Sequence, residues 1–451
     1  MAGIFKSYDV RGIVPAELTT GDAYRIGKAT AAFLKAKTMA VGRDARLSSP
    51  DLQAALLAGI AAAGCDAYDL GMGPTPISYF AAGHLGKSKC GGAIQVTASH
   101  NPAEYGGFKF TKAGALPMSY GQGLEEVEKL FLKDEPHLAK KPGKIKSLNL
   151  WPKYIAHCRR FAQLDKKRPL KIAIDCGNGA MGQWLPALLK GLPLKTIPLY
   201  WTPDGRFPNH EANPLKLENI AKLREVVVAK KCDLGVAFDG DGDRVAFVDE
   251  RGEPIPGDVA GALMAQVLLK ANPGANVLYD VRATRAFAQA VEEAGGRALE
   301  TRVGHSHIKA GLREHKAVMA AELSGHFYFR DFFCSDSGET AFFLVLSLVS
   351  QSGKKASELV APLQRFFHTG EINFHVQDAN KTVEAVEAAV KGRAKAISKV
   401  DGVTIDMGPW WFNLRKSNTE PVVRLNLESL KSSAEMEAAR NEIVALIEGK
   451  P

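Results

Sequence analysis

The feature that most constrains this chain is a unit it uses three times. A short apolar strand ends in acidic and small residues, a helix-forming stretch follows, and a second apolar strand runs into a polar, Gly-bearing loop. The first strands are Met39–Asp44, Lys171–Asp175 (continuing Cys-Gly-Asn-Gly179) and Asn276–Asp280 (continuing Val-Arg282). Ala- and Leu-rich amphipathic stretches such as Pro50–Ala63 and Ala283–Ala294 read as helices. The second strands are Gly92–Val96, Leu234–Phe238 and Ala317–Ala320. They lead into Thr97-Ala-Ser-His-Asn-Pro102, Asp239-Gly-Asp-Gly-Asp-Arg244 and Ala321-Glu-Leu-Ser-Gly-His326. Alternating strands and helices predict α/β domains with mixed or parallel sheets. In such sheets ligands bind beyond the carboxyl ends of strands, where these three loops fall.

The last stretch departs from the repeat. Asn373–Val376 and Val403–Met407 read as strands, Val383–Ile397 as a helix, and Phe412–Pro421 as a loop entered from a strand. Val422–Leu427 forms another strand and Ser433–Ile447 a terminal helix. The predicted fold class is therefore α/β: three similar α/β domains with mixed sheets plus a smaller C-terminal α+β domain. Plausible junctions are the basic stretch Lys140–Lys146, the turn-rich Glu250–Gly257 and the vicinity of His368–Gly370. They give expected domains 1–147, 148–251, 252–368 and 369–451.

At 451 residues, with 46% hydrophobic and 24% charged residues, the chain can bury several cores without staples. Its six cysteines are scattered with no C-x-x-C spacing, which argues against a zinc site or a disulfide framework. No signal-peptide pattern opens the chain, and its longest apolar run, Ala341–Val349, is too short to span a bilayer. The expectation is a cytoplasmic protein with no membrane partner. A formal charge of +9 points to an anionic partner. The basic residues are dispersed, without the blocks or aromatic ladder of a nucleic-acid groove. A small anionic substrate accounts for the charge without nucleic acid.

Asp239, Asp241 and Asp243 stand at alternate positions, and three carboxylates so close repel unless a cation neutralises them. Oxygen-only ligands suit magnesium, calcium or manganese. An EF-hand is excluded because Arg244 holds the position that needs glycine and the flanks are strands. Thr97–Pro102 sets a hydroxyl beside an imidazole; alone it reads more readily as a simple polar turn. It lacks the Gly-x-Ser-x-Gly elbow of a serine hydrolase. The acidic trio on the equivalent loop of the next unit changes this, since a phosphoryl-accepting serine needs a divalent ion to screen charge. Arg415-Lys-Ser-Asn-Thr419 gathers a guanidinium, two hydroxyls and an amide, a set suited to a phosphate dianion.

Together these loops resemble the α-D-phosphohexomutase superfamily, most closely its phosphomannomutase/phosphoglucomutase branch, over essentially the whole chain. The resemblance implies four domains around a central cleft and an isomerase that interconverts hexose 1-phosphate and hexose 6-phosphate, of mannose or glucose. It implies a phosphoserine at Ser99 and a hexose 1,6-bisphosphate intermediate that also serves as activator. Mg2+ would be held by Asp239, Asp241, Asp243 and a phosphate oxygen on Ser99. Catalytic roles fall to Ser99, His100, Lys109, Arg11 and Arg244. Substrate contacts fall to Tyr8, Arg282, Gly304, His305, Glu322, Ser324 and His326, with Arg415, Ser417, Asn418 and Thr419 on the non-reacting phosphate. Hexose phosphates are the expected partners, and the protein a monomer or homodimer. Val303-Gly-His305 and the Gly within Asp-Gly-Asp-Gly-Asp-Arg favour the hexose branch over phosphoglucosamine mutases, the nearest alternative. A metal-dependent sugar phosphatase and a non-catalytic sugar-phosphate-binding protein are more distant ones. Ala321 and Arg282 depart from the usual glycine and lysine.

Overall fold

A computed structural model of the chain describes residues 3–133, 139–416 and 422–449. It contains four sheets, and the first three share one strand arrangement. In the first, Thr38–Arg43 lies between Asp66–Met72 and Gly92–Val96, parallel to both, and Gly92–Val96 pairs antiparallel with Tyr105–Lys112. In the second, Leu170–Asp175 lies parallel to Leu194–Leu199 and Leu234–Phe238, and the latter forms a hairpin with Val245–Val248. The third repeats this with Asn276–Asp280, Arg297–Thr301, Met319–Ala321 and Phe327–Phe329. Each sequence loop singled out above is thus the turn between the third and fourth strands of its unit, at the carboxyl end of a buried strand. The expected mixed-sheet α/β class holds for all three.

The fourth sheet is wholly antiparallel, in the order Phe367–His375, Val422–Ser429, Trp410–Lys416, Val403–Asp406, Ala396–Ser398. The C-terminal α+β expectation stands, with corrections inside it. The helix runs Ala379–Val390 rather than 383–397. It starts early because Asp378 caps it, accepting from the backbone N–H of Asn380 and Lys381. It stops early because Ala396–Ser398 is drawn into the sheet edge opposite Thr404–Asp406, so ladder pairing overrides helix propensity. Phe412–Lys416 is strand, not loop; residues 417–421 lie outside the described segments. Elsewhere the third-unit strand is Met319–Ala321, two residues late at its start. Ile145–Ser147, read as part of a basic junction, adds a parallel strand to the first sheet.

The helix Gly338–Ser352 ties the first three units together. It contains the longest apolar run and is buried along most of its length. One apolar core gathers side chains from the first unit (Phe80), the second (Ile174, Phe238) and the third (Phe287, Phe342). The fourth sheet packs its own separate core, including Val386, Phe412, Leu425 and Ile443. All six cysteines are free. Among the described residues no helix is long and apolar enough to cross a membrane.

Candidate active site

The three turns converge. Ser99 sits in the left-handed region at φ 54° and is buried. Its N–H donates to Thr97 Oγ1 (2.8 Å), and its Oγ lies 3.4 Å from Asp239 Oδ2 and 3.3 Å from His100 Nδ1. Asp239, Asp241 and Asp243 are fully buried, and one carboxylate oxygen from each lies within 4.8 Å of the others. Burial, then Asp241 and Asp243, pushes the Asp239 carboxyl well above its ordinary range. Asp243 is held well below it, because Lys109 and His326 outweigh burial. Asp241 Oδ1 and Asp243 Oδ1 meet no hydrogen-bond partner. Orphaned, convergent carboxylate oxygens with no nitrogen or sulfur donor between them fit a hard divalent cation.

Neighbouring units hold this acidic turn in place. Thr75, at the start of the helix Pro76–His84, donates its hydroxyl to Asp241 and its N–H to Asp241 O (2.7 Å). A Cβ on Gly338, the first residue of the central helix, would stand 2.7 Å from Gly242 O. Lys109 lies on the strand hydrogen-bonded to Gly92–Val96, the one that leads into the Ser99 turn. Its ammonium reaches Asp241 (2.8 Å) and Asp243. Burial opposes its charge, but the three aspartates keep its pKa above the ordinary value. His100 goes the other way: Arg244, burial, Arg11 and Lys109 drive it far down, so its ring is neutral. Arg11 is aimed by Asp9 (Nε–Oδ2 2.9 Å) and by Asn101 (Nη1–Oδ1 2.7 Å).

The third unit forms the opposite wall. Glu322 accepts from Gly304 N–H (3.0 Å) and from the Tyr328 hydroxyl (2.5 Å). It stays ionised because His326, Arg282 and Tyr328 overcome its burial. The His326 ring nitrogens lie 3.0 Å from Ser324 Oγ and 3.2 Å from Arg244 Nε. Burial and Arg244 lower its pKa, yet Asp243 and Glu322 carry it to about 9. An isolated bridge between Arg244 and His326 joins the acidic turn to this wall. Gly304 is required twice over: its φ is +118°, and a Cβ would fall 2.6 Å from the Tyr8 hydroxyl. Tyr8 packs on His305 at 5.3 Å between ring centroids. Burial, Lys309 and Lys109 depress His305, whose Nδ1 has no partner.

Arg282 is clamped by Asp280 (2.9 and 2.8 Å) and stands 3.6 Å from Glu371 of the fourth sheet. Arg415 donates to Glu371 (2.7 Å), and its direct cross-strand neighbour is Arg424, 3.5 Å from the same carboxylate. The Nε atoms of both arginines are buried without a partner. Ser417, Asn418 and Thr419 lie outside the described residues. The cleft, about 370 Å³, is lined by Tyr8, Arg11, Ser99, Lys109, Arg244, Arg282, Gly304, His305, Glu322, Ser324, His326 and Arg415. Supporting residues that sequence reasoning passed over are Asp9, Thr75, Asp280, Glu371 and Arg424. Asp9 and Asp280 had a signal, an acidic residue two before an arginine; the others meet the site only through packing.

Three repeats of one α/β unit, a fourth antiparallel domain and a shared polar cleft define an α-D-phosphohexomutase. The models of all four phosphoglucomutase/phosphomannomutase domains match in order: the alpha/beta/alpha domains I, II and III at residues 2–137, 152–252 and 256–366, and the C-terminal domain at 371–446. The chain is 40% identical to a phosphomannomutase of Salmonella montevideo over 98% of both chains. It is 37% identical to a phosphomannomutase/phosphoglucomutase of Pseudomonas aeruginosa, over 95% of this chain and 92% of that one. A crystal structure of a family member from Burkholderia thailandensis superposes with a TM-score of 0.91 at 32% identity, covering 99% of this chain and 98% of that one. The chain belongs to the phosphoglucomutase/phosphomannomutase family. It is a phosphohexomutase, an isomerase of hexose phosphates.

Proposed function

We propose that this enzyme interconverts the 1- and 6-phosphates of mannose and of glucose by two in-line phosphoryl transfers through Ser99. The observation that carries the reading is the Ser99 hydroxyl 3.4 Å from Asp239, at the meeting point of four domains. In the first transfer a sugar hydroxyl gives up its proton and bonds to phosphorus as the Ser99 Oγ–P bond breaks and Oγ takes a proton up, giving a hexose 1,6-bisphosphate. After the sugar reorients, Ser99 Oγ loses its proton and bonds to the other phosphorus as that sugar O–P bond breaks, and the freed sugar oxygen takes a proton up. Asp239, Asp241, Asp243 and a Ser99 phosphate oxygen are the residues that would hold Mg2+. When bound, it screens the charge that builds on the moving phosphoryl group.

Lys109, kept as an ammonium by the aspartates, and Arg11, aimed by Asp9 and Asn101, orient and neutralise that phosphoryl group. Neutral His100, 3.3 Å from Oγ, is placed to accept a hydrogen bond from the serine hydroxyl and so orient it. Arg244 braces the acidic turn. Ionised Glu322, with Ser324, accepts sugar hydroxyls, while His305, His326, Tyr8, Gly304 and Arg282 shape the wall. Arg415, with Ser417, Asn418 and Thr419, takes whichever phosphate is not reacting. Because one distal site accepts either phosphate, the same machinery serves both half-reactions. The protein works as a cytoplasmic monomer or homodimer, with domains 1–147, 148–251, 252–368 and 369–451.

The test is a parallel assay with glucose 1-phosphate and mannose 1-phosphate, primed with hexose 1,6-bisphosphate, with Mg2+ and with chelator. Both 6-phosphates forming only with Mg2+ supports the proposal. Conversion of glucosamine phosphate alone moves the enzyme to another branch, and release of inorganic phosphate beyond isomer formation makes it a phosphatase.

A further inference from the structure

We propose that Arg46 is a positioning residue for phosphoryl transfer, the part that sets the Ser99 turn in its reactive conformation. The role rests on the reading of Ser99 as the phosphoryl carrier. Arg46 lies just beyond the strand Thr38–Arg43, and its side chain is fully buried beneath the turn. A guanidinium has five N–H groups, and here each has an acceptor. Nε donates to Asp44 Oδ2 (3.1 Å); Nη1 donates to the carbonyls of Pro102 (2.5 Å) and Tyr105 (3.0 Å); Nη2 donates to those of Ser99 (2.8 Å) and Asn101 (2.6 Å). Three carbonyls of the turn and one at the start of the strand after it are thereby gathered onto one planar fork.

The consequence for Ser99 follows from its backbone. Its φ of 54° is a conformation that a residue with a Cβ adopts only when its surroundings impose it. The peptide group on either side is pinned: the N–H goes to Thr97 Oγ1 and the carbonyl to Arg46. With both fixed, Oγ is left pointing at Asp239. The same contacts commit the carbonyls of Ser99, Asn101 and Pro102 to the guanidinium.

Arg46 also meets the unit that carries the acidic residues. The Phe207 ring stacks over its guanidinium at 5.1 Å. A Cβ on Gly205 would stand 2.6 Å from Arg46 Cα, and one on Gly240, inside the acidic turn, 2.8 Å from Ser99 O. The carbonyl that Arg46 holds is therefore the one the acidic turn rests against. Asp44 anchors the fork, accepting also from Arg46 N–H (3.0 Å) and the Ser49 hydroxyl (2.5 Å). Neither Arg46 nor Asp44 lines the cleft.

The experiment compares the parent enzyme with Arg46→Lys, which keeps the charge but offers donors from a single nitrogen, and with Asp44→Asn, which loosens the fork. Steady-state kinetics, thermal melting and the single-turnover rate of Ser99 phosphorylation by glucose 1,6-bisphosphate, read by intact mass, are measured on each. For Arg46→Lys we expect kcat to fall about 10²-fold, with KM for glucose 1-phosphate within about three-fold of the parent. Ser99 phosphorylation should slow by the same factor, and Asp44→Asn should show a smaller change in the same direction. A folded Arg46→Lys enzyme that phosphorylates Ser99 at the parent rate overturns the role. So does a loss of kcat that merely tracks the unfolded fraction, or one that appears in KM instead. A parent enzyme that takes no phosphate on Ser99 overturns the functional reading and this role with it. A phosphorylated parent matched by Arg46→Lys overturns the role of Arg46 alone.

Discussion

Individual side chains in the cleft do their work through the charges around them. His100 and His326 are half-buried imidazoles of the same site, yet their pKa values move in opposite directions: Arg244, burial and Arg11 lower the first, while Asp243 and Glu322 raise the second against burial and Arg244. Ser99→Ala removes the atom that carries phosphate and should lower mutase turnover by roughly 10³-fold or more. Near-normal turnover of the purified variant would show that phosphate travels by another route. Asp241→Asn should weaken activation by Mg2+ and lower kcat together, since it removes a charge from the cation's shell while keeping the shape. A magnesium titration that superposes on the parent's would count against ligation. Arg415 donates to Glu371 in the free enzyme and has an Nε to spare. Arg415→Ala should therefore raise KM for hexose phosphates about ten-fold or more, with a smaller change in kcat, as for a contact made throughout the reaction.

At the scale of elements, the strand-to-strand turn of each repeat supplies chemistry and the helix that follows supplies support. The helix Gly338–Ser352 shows the second task most clearly. Ser337 caps it, accepting from Thr340 N–H (3.1 Å), and its first turn buries Glu339 between the hydroxyls of Tyr154 (2.6 Å) and Ser337 (3.1 Å). Burial raises the Glu339 pKa from its ordinary 4.5 to about 7. Between those values the folded protein holds a proton that the unfolded chain releases, so stability falls as pH rises, and above the folded pKa the whole cost is present. The shift corresponds to about 3 kcal/mol. Glu339→Gln, which mimics the protonated acid, should raise the melting temperature near pH 8 and have little effect near pH 5. An equal shift at both pH values would refute a titrating Glu339.

For the whole molecule, one apolar core runs through the first three units while the fourth keeps its own. The junction between them is polar. Glu428 accepts from the Thr284 hydroxyl (2.5 Å), from Arg285 N–H (3.0 Å) at the N-terminus of the helix Arg285–Glu293, and from Trp411 Nε1 (2.7 Å). Arg285 pairs with Asp406 at 2.9 Å, and Asp401 accepts from Val303 N–H at 3.0 Å. Polar contacts contribute less to cooperativity than a shared apolar core. Amide hydrogen exchange should therefore open Trp410–Lys416 and Val422–Ser429 as a unit at lower free energy than Leu234–Phe238. Exchange of both sets at one free energy would mean that the polar junction couples them as tightly as a core does.

Much of this was legible before any coordinates. Local periodicity and loop composition mark the three repeats, because a buried strand needs an unbroken apolar run and a functional turn needs polar residues beyond it. That is why Gly92–Val96 and Leu234–Phe238 coincide with strands of the structure. Ser99, the aspartates and Arg415 announce themselves because their chemistry is concentrated within a few residues. Other features depend on partners far away in the chain. The helix expected over 383–397 ends at Val390 because a sheet edge captures the residues after it. Thr75 meets Asp241 only after two units dock, and Arg46 meets Ser99 only once distant strands of the first sheet have paired. Thr75 carries no signal of type or spacing, and Arg46, two residues after Asp44, carries only the pattern it shares with Arg11 and Arg282. Period and composition are properties of neighbours along the chain, whereas the aim of a side chain is set by whatever packs against it.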